Sequence, residues 1–234
     1  MSLLNNLHIE QLRNIASASI DLSPKINLFY GENGSGKTSI LEAISLLGLG
    51  RSFRSHKSRS LVNHQYSELT VFSHIAHEGS LMPVGVQKSK SGSSMIRMAG
   101  DTVKSASLLA KHLPLLVVNA SSFQLIEGSP VQRRQFLDWM VFHVKPEFAS
   151  LWKGLQKILK QRNSLLRRDK ISYSDIEPWD VTFCHLAEAI DQARREVFEA
   201  FVSRFVDLES QFLGQALGIE MEYVRGWNHE QCFN

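Results

Sequence analysis

The stretch that decides the fold is NLFYGENGSGKTSILEAISLLGLG, residues 27–50. Residues 31–38 fit the pattern G-x-x-x-x-G-K-[S/T] at every position. In such a loop the glycines let successive backbone N–H groups turn towards one phosphate, the lysine reaches the β and γ phosphates, and the last hydroxyl contacts Mg²⁺. The stretch therefore predicts a phosphate-binding loop, with Thr38 as the metal-contacting residue. Its predicted binding residues are Gly31, Glu32, Asn33, Gly34, Ser35, Gly36, Lys37, Thr38 and Ser39.

The residues on both sides of this loop fit the same interpretation. Residues 26–30 (INLFY) form a continuous apolar run, which is typical of a strand buried on both faces. After the loop, apolar residues recur at helical spacing: Ile40, Leu41, Ile44 and Leu47. The order strand, loop, helix would direct the positive end of the helix dipole at the bound anion.

The sequence on either side of this unit favours β-structure. Residues 7–22 alternate between apolar and polar and predict two half-exposed strands. Residues 50–111 contain short β-favouring runs, LTVFSHIAH and MIRMAG among them, separated by Gly, Ser and Pro, which predicts a β-rich lobe with exposed loops. Residues 114–118 (PLLVV) predict a second buried strand.

The second half of the chain reads as helical. Ser129, Pro130 and Gln132 predict a helix start with a capping box, ahead of the run VQRRQFLDWMVFHV. Two apolar stripes follow, within residues 148–166 and 183–212, joined by the polar stretch RRDKISYSDIEP. We expect two long helices in a hairpin, which serves either as a plain helical subdomain or as an interaction arm. Residues 219–223 then alternate again.

Composition limits the classes of protein to consider. With 234 residues, of which 43% are hydrophobic, the chain can bury one substantial core. No apolar run approaches the roughly 18–20 residues needed to cross a bilayer, and two cysteines are too few for a disulfide framework. We therefore predict a cytoplasmic protein with no membrane partner. A net charge of +3 permits an anionic partner without requiring one.

Nucleotide hydrolysis needs more than this loop. An NTPase of this class also needs an acidic residue at the end of a neighbouring strand to hold Mg²⁺, and a group that orients the attacking water. The run at residues 114–118 leads instead into Asn119. The sequence thus predicts ATP binding and leaves hydrolysis open.

Several stretches resemble known proteins. GENGSGKTSILEAI resembles the ATPase heads of the structural-maintenance-of-chromosomes (SMC) and ABC type. IEQLRNIASASIDLSPKINLFYGENGSGKT, LGLGRSFRS and FQLIEGSPVQRRQFLD resemble the RecF family of bacterial recombination mediators. The resemblance implies an α/β fold, a P-loop ATPase head of the ABC/SMC type with a β-rich lobe, plus a long helical hairpin subdomain. The implied domains are a head lobe with a β-rich insertion at 1–143, the hairpin at 144–218 and the start of a truncated return to the head at 219–234.

The same resemblance implies a site and a function. Arg13 and Asn14 would lie near the nucleotide, and Gln124 would be a glutamine-loop residue that senses Mg²⁺ and the γ phosphate. The cofactors would be ATP and Mg²⁺. The protein would act in recombinational repair and replication restart. It would bind DNA in an ATP-dependent way at gaps or junctions between single-stranded and duplex DNA, help to load a recombinase with mediator proteins, and form a homodimer when ATP is bound.

The resemblance also implies that segments present in other family members are missing from this sequence. Family members continue into segments that contain the ABC signature, the Walker B carboxylates and a switch histidine. None of these is found before residue 234, so we expect a fragment that would turn ATP over slowly, and only with those segments supplied.

Basic residues after the P-loop helix are candidates for DNA contact. Arg51, Arg54, Lys57 and Arg59 could follow a DNA backbone, or could form a solvated loop whose arginines pair with carboxylates. A different class of function is a small-molecule kinase or phosphotransferase, with GRSFRSHKSR as its arginine-rich lid. A third is an interaction protein insensitive to nucleotide.

Overall fold

A computed structural model describes residues 2–55, 57–77, 79–167, 170, 172–214 and 218–227. The chain forms two compact units, Met1–Asn119 and Ala120–Asn234. The predicted domain boundaries at residues 143 and 218 stay predictions, and each unit is described by itself.

The first unit is built on an antiparallel sheet, which in the described residues has seven strands. The strand order is β3-β2-β4-β5-β6-β7, with β1 paired to β4, and every pairing is antiparallel. The predicted strands within residues 7–22 and the predicted β-rich lobe are thereby confirmed. The elements are β1 (Leu3–Leu4), β2 (Asn6–Leu12), β3 (Ile15–Asp21), α1 (Lys37–Leu49), α2 (Ser58–Leu61), β4 (Glu68–His77), β5 (Ser80–Ser89), β6 (Ser94–Met98), β7 (Asp101–Val103) and α3 (Ala106–His112).

Helix α1 packs on one face of this sheet. Successive side chains of a strand point to opposite faces, so Leu7 and Ile9 of β2 share the covered face and are fully buried. Leu46 and Leu47 of α1 join them in the same core. This packing fixes the position of the loop that precedes α1.

The buried face of α1 differs from the predicted one. Leu41 is 47% exposed, whereas Ser39, Glu42 and Ala43 are buried. A buried carboxylate is tolerated there because partners on other elements satisfy it, so the inward face includes polar positions that an apolar pattern does not reveal.

Glu42 is the centre of a buried polar cluster. Its side chain is fully buried, and its carboxylate accepts two hydrogen bonds from Arg13, from Nη2 to Oε1 at 2.8 Å and from Nε to Oε2 at 3.0 Å. Ser52 Oγ donates to Glu42 Oε1 at 2.6 Å, and Arg54 Nη1 lies 4.0 Å from Oε2. The cluster joins α1 to the turn between β2 and β3 and to the loop after α1.

Burial and hydrogen bonding act in opposite directions on Glu42. Burial raises the pKa of its carboxyl, but the hydrogen bonds from Arg13 and Ser52, with the positive charges of Arg13 and Arg54, outweigh burial. The pKa of Glu42 therefore lies below its ordinary value of 4.5, and the side chain is ionised in the folded protein.

Two predicted strands are not formed. Residues 26–30 and 114–118 carry no strand assignment, and Ile26, Leu28 and Tyr30 are 83%, 80% and 87% exposed. Leu116 and Val118 are 56% and 77% exposed. An extended apolar segment becomes a strand only where another strand supplies backbone partners. Neither segment pairs with a strand in the part of the chain that the structure describes.

The second unit is helical, as predicted. Its long helices share one core, which includes Val141, Phe148 and Ile190. Asp138 accepts two hydrogen bonds from Arg194, at 2.7 and 3.0 Å, and so links two of the helices. The helices are a 3₁₀ turn (Ala120–Phe123), α4 (Gln124–Glu127), α5 (Pro130–Val144), α6 (Phe148–Leu165) and α7 (Tyr173–Leu213).

Two details at the helix ends differ from the prediction. Ser129 precedes α5, but its hydroxyl contacts the Gln132 side chain at 2.5 Å and makes no capping bond to the backbone. Helix α7 begins at Tyr173, inside the predicted polar linker, because Ser172 and Asp175 form a capping box there.

The described residues after α7 pack against that helix. Tyr223 donates its hydroxyl to the buried Asp191 at 2.7 Å, and Arg225 Nη2 donates to Glu188 at 2.8 Å. Burial and the Asp191 carboxylate raise the pKa of Tyr223 well above its ordinary range. Residues 228–234 lie outside the described part, and the predicted return to the head stays a prediction.

Replacing Glu42 with Gln tests the buried cluster. Arg13 loses its counter-charge, so we expect the free energy of unfolding at pH 7 to fall by about 2 kcal/mol. This is less than the roughly 3–5 kcal/mol of a fully buried pair, because the Arg13 side chain is 24% exposed. The folded-state pKa is the lower one, so the wild-type advantage is complete above about pH 4.5 and is lost as the pH falls through the folded-state pKa.

The measurement is urea unfolding at pH 7, 5 and 3, followed by far-UV circular dichroism. All four tryptophans lie beyond residue 119, so their fluorescence reports the second unit and should not change. Glu10→Gln, on the exposed part of β2, is the matched control and should shift stability by less than about 0.5 kcal/mol. Equal stability of wild type and Glu42→Gln at pH 7 would contradict the prediction.

The exposed apolar segments yield a second prediction. Because Leu28 and Leu116 are mostly exposed, the Leu28→Ser/Leu116→Ser variant should change the free energy of unfolding by less than about 1 kcal/mol. It should also bind less of the apolar dye ANS. Leu46→Ser, in the core, is the control and should lose at least about 2–5 kcal/mol. A double variant as unstable as Leu46→Ser would show that the two segments are buried.

Candidate functional site

The predicted phosphate-binding loop runs from residue 31 to the first turn of α1. Gly31, Gly34 and Gly36 have φ values of 142°, 85° and 98°, which side-chain-bearing residues rarely adopt. A Cβ added at Gly31 would lie 3.1 Å from Ser35 Oγ. The glycines are therefore required by the backbone path of the loop.

Lys37 closes the loop on itself. Its Nζ donates to the carbonyl oxygens of Gly31 and Glu32, each at 2.8 Å. The ammonium group is thereby held over the loop rather than extended into solvent. An incoming phosphate oxygen could replace either carbonyl as a charge-assisted acceptor.

A turn on the sheet supports the loop from the side. Arg13 and Asn14 connect β2 and β3, and Arg13 has a φ of 54°, a sparsely populated conformation for a residue other than glycine. Asn14 Nδ2 donates to the Gly34 carbonyl at 2.6 Å, and Asn14 Oδ1 accepts from Ser39 Oγ at 2.9 Å. Asn14 thus holds the loop and the first turn of α1 at once.

Arg13 holds the turn in place. Besides its two bonds to Glu42, its Nη1 donates to the Ser60 carbonyl at 2.5 Å and its backbone N–H donates to Leu61 at 2.7 Å. Backbone strain of this kind persists where the surroundings fix it, and it is frequent at functional sites.

Residues of the phosphate-binding loop and of the Arg13–Asn14 turn line a cleft of about 780 Å³. It brings together nine of the predicted binding residues: Arg13, Asn14, Asn33, Gly34, Ser35, Gly36, Lys37, Thr38 and Ser39. The lining also contains Arg54, Asn63 and His64, and no Asp or Glu among the described residues. The cationic side chains, with the positive end of α1, make the cleft suited to an anion.

Glu42, Asn63 and His64 were not predicted. Glu42 lies at helical spacing from the buried Ser39 and Leu46, but apolar periodicity does not mark a carboxylate as buried. Asn63 is 7% exposed and donates its N–H to the Gln11 carbonyl at 2.8 Å. That contact between distant parts of the chain leaves no local pattern in the sequence.

The four basic candidates for DNA contact are placed differently. Arg54 lines the cleft, whereas Arg59 lines a neighbouring pocket of about 480 Å³. Arg51 and Lys57 are exposed and line neither. Contact of these residues with DNA stays a prediction.

Metal ligands are sparse in the described residues. They contain no group of three or more His, Cys, Asp or Glu side chains that could hold a metal ion. Thr38 is exposed at the start of α1, as a hydroxyl ligand to a nucleotide-bound Mg²⁺ would need to be. Gln124 begins α4 in the second unit, and its role stays a prediction. No helix in the described residues is long and apolar enough to cross a membrane.

Solved structures show the same fold. A structure of the recombination mediator protein RecF with ATP, from the RecFOR pathway, matches with a TM-score of 0.82 at 21% identity, over 95% of this chain and 63% of that chain. The Smc head domain of Pyrococcus furiosus, bound to the C-terminal domain of ScpA, matches with a TM-score of 0.55 at 16% identity, over 90% of this chain and 65% of that one. The predicted fold class, an α/β ATPase head with a helical subdomain, is confirmed.

Curated relatives share considerably more sequence. The DNA replication and repair protein RecF of Teredinibacter turnerae is 46% identical over 237 residues, and that of Cellvibrio japonicus is 45% identical over 231. The matches cover 100% and 98% of this chain but 62% and 63% of the relatives. The AAA domain family model matches residues 6–175. The chain therefore belongs to the AAA domain family and resembles RecF over nearly its whole length.

Proposed function

We propose that this chain binds ATP through its phosphates in the cleft at the start of α1. The observation that carries the proposal is the position of Lys37, whose Nζ lies 2.8 Å from two loop carbonyls in a cleft without carboxylates among its described lining residues. A buried or half-buried ammonium group beside positive-φ glycines attracts a phosphate by charge and by backbone N–H groups together.

The residues of the cleft have separate roles in this proposal. Lys37 exchanges its loop carbonyls for phosphate oxygens. Asn14 keeps the loop against α1 through Gly34 and Ser39. Arg13 positions Asn14, because Glu42 and the Ser60 carbonyl fix the guanidinium. Arg54, Asn63 and His64 line the remainder of the cleft and are positioned to contact the rest of the nucleotide.

Mg²⁺ accompanies ATP in this proposal. When bound, the ion would neutralise charge on the phosphates. Thr38 would supply a hydroxyl ligand, and a Mg²⁺-sensing role for Gln124 stays a prediction. The described lining of the cleft has no carboxylate to hold Mg²⁺ or to orient water. We propose ATP binding for this chain, with slow turnover only if the signature and Walker B segments that the RecF resemblance implies are supplied.

The broader role follows the relatives. We propose that the chain acts in DNA replication and repair in the cytoplasm, as part of a RecF-type protein that binds junctions of single-stranded and duplex DNA when ATP is bound. Mediator proteins of recombinase loading and a second copy of the chain are its proposed partners. The relatives, named as DNA replication and repair proteins, support this role, although the chain spans less than two thirds of their length.

The small-molecule kinase is the weaker hypothesis. Its lid would be the stretch at residues 50–59, of which residue 56 lies outside the described part. Ser52 in that stretch is 2% exposed, donates to Glu42 and accepts N–H groups from Arg54 and Ser55. A segment anchored in this way is poorly suited to open and close over a substrate.

Lys37→Ala tests nucleotide binding. The variant loses the charge-assisted contact with the phosphates, so we expect its affinity for ATP to fall by at least about tenfold. Isothermal titration with Mg–ATP measures this directly. Lys25→Ala, an exposed lysine twelve positions earlier, is the control and should bind ATP like the wild type. An unchanged affinity in Lys37→Ala would refute the proposed site.

ATP-dependent DNA binding tests the broader role. We expect the wild type to bind a fluorescent junction of single-stranded and duplex DNA several-fold more tightly with Mg–ATP than without it, because nucleotide and DNA binding are coupled. Fluorescence anisotropy provides the measurement. Lys37→Ala should lose the ATP effect and keep the nucleotide-free affinity.

Two results would count against this role. If Lys37→Ala retained the full ATP effect, ATP and DNA binding would not be coupled through the cleft. If the wild type consumed ATP only when a small acceptor molecule was added, the kinase hypothesis would replace the RecF-type role.

A further inference from the structure

Next to the nucleotide cleft lies a second basic pocket, whose residues Arg59 and Lys90 have no role in the proposed ATP site. It is lined by Arg13, Arg59, Ser60, Val62, His64 and Lys90. Its volume is about 480 Å³, and it shares Arg13 and His64 with the cleft. The two cavities are therefore neighbours with a common wall.

The charged residues that line this pocket are all cationic. Three of its lining residues are cations and, in the described part of the chain, none is Asp or Glu. The Glu42 carboxylate compensates Arg13 from the buried side, where it is fully enclosed. Arg59 is exposed on α2 and forms no ion pair with a described residue. Of the three cations, only Arg13 has a carboxylate partner among the described residues, and such a cluster favours an anionic ligand.

The pocket is also held in shape. Lys90 Nζ donates to the His64 carbonyl at 2.8 Å, which joins the end of β5 to the segment after α2. Arg13 donates to the carbonyls of Ser60 and Leu61, which fixes α2 itself. The backbone that follows Arg59 is thus held by hydrogen bonds from Arg13 and Lys90.

We propose that this pocket binds a phosphate of the DNA backbone and couples DNA to the nucleotide. The inference rests on the proposed function, because it presumes that the chain binds DNA. Contacts to backbone phosphates come from Arg and Lys side chains and position the protein without reading sequence. The pocket lies outside the loop that receives the nucleotide phosphates, so DNA and ATP can be bound together.

The coupling runs through one short turn. Arg13 contacts the pocket side through Ser60, and its neighbour Asn14 contacts the phosphate-binding loop through Gly34. A DNA phosphate that accepts a hydrogen bond from Arg13 would further hold this turn, and through Asn14 the loop, in the position that receives the nucleotide. By the reciprocity of linked binding, ATP in the cleft then strengthens DNA binding in the pocket.

The test is an Arg59→Ala/Lys90→Ala variant, measured by fluorescence anisotropy on the DNA junction at 50 to 200 mM salt. Each lost phosphate contact lowers the slope of log K against log salt by about 0.7–0.9. Because the pocket is proposed to hold one phosphate, we expect a slope shallower by about 0.7–0.9, weaker DNA binding and a smaller ATP effect. The affinity for Mg–ATP without DNA should stay within about twofold of wild type, because neither residue lines the cleft.

Lys104→Ala/Lys111→Ala is the matched control. It removes two exposed positive charges from the same unit, away from the pocket, and should keep the wild-type slope. Arg59→Glu is a second variant that leaves the Lys90 hydrogen bond intact, and it should weaken DNA binding at least as strongly. Circular dichroism checks that each variant is folded.

The outcomes separate this inference from the proposed function. If the double variant and the control have the same slope and affinity while the wild type binds DNA in an ATP-dependent way, the pocket is not a DNA site and the proposed function stands. If the double variant loses affinity for ATP and keeps its DNA affinity, the phosphate belongs to the nucleotide and the inference is wrong. If the wild type binds no DNA, both fail.

Discussion

The first unit depends on one ion pair, between Arg13 on the β2–β3 turn and the buried Glu42 on α1. A fully buried carboxylate is stable only when it is paired and hydrogen-bonded, and here a bidentate guanidinium and the Ser52 hydroxyl meet that requirement. The pair locks a residue with positive φ between two strands and fixes the angle of α1 on the sheet. Because Ser52 and the Ser60 carbonyl belong to the same set of contacts, the loop after α1 and helix α2 are fixed by it as well.

The ion pair also affects the electrostatics of the cleft and the pocket that Arg13 lines. Glu42 neutralises the guanidinium from its buried side, where water screens the attraction less than at the surface. The cleft and the neighbouring pocket present cations without carboxylates among their described lining residues. The site can therefore attract a polyanion without accumulating uncompensated charge in the core. Asn14, next to the fixed Arg13, holds the phosphate loop in place, because its side-chain amide bonds both the loop and the first turn of α1.

The sequence predicted the parts of the molecule whose cause is local. The phosphate loop follows from the glycines at residues 31, 34 and 36, and the strands and helices from their apolar periods. Residues 26–30 and 114–118 were predicted as buried strands, yet Leu28 is 80% exposed. An apolar run indicates only that a segment is suited to burial. Strand formation also requires backbone hydrogen-bonding partners on another strand. Glu42 was missed for the complementary reason: its partner Arg13 is 29 positions away, and a carboxylate within a helix is read as solvent-exposed.

Proximity in sequence also proved a poor guide to shared function among the basic residues. Arg51, Arg54, Lys57 and Arg59 look like one patch in the sequence, but Arg54 lines the nucleotide cleft and Arg59 the neighbouring pocket. Lys90, 31 positions after Arg59, completes that pocket because β5 returns beside it. If the cleft and the pocket both bind anions as proposed, their shared residue Arg13 links the two binding equilibria, because a ligand that changes the position of Arg13 in one site affects the other. The Arg13–Asn14 turn thus supports the phosphate loop. In the proposal it is also the physical link through which nucleotide in the cleft affects binding in the pocket.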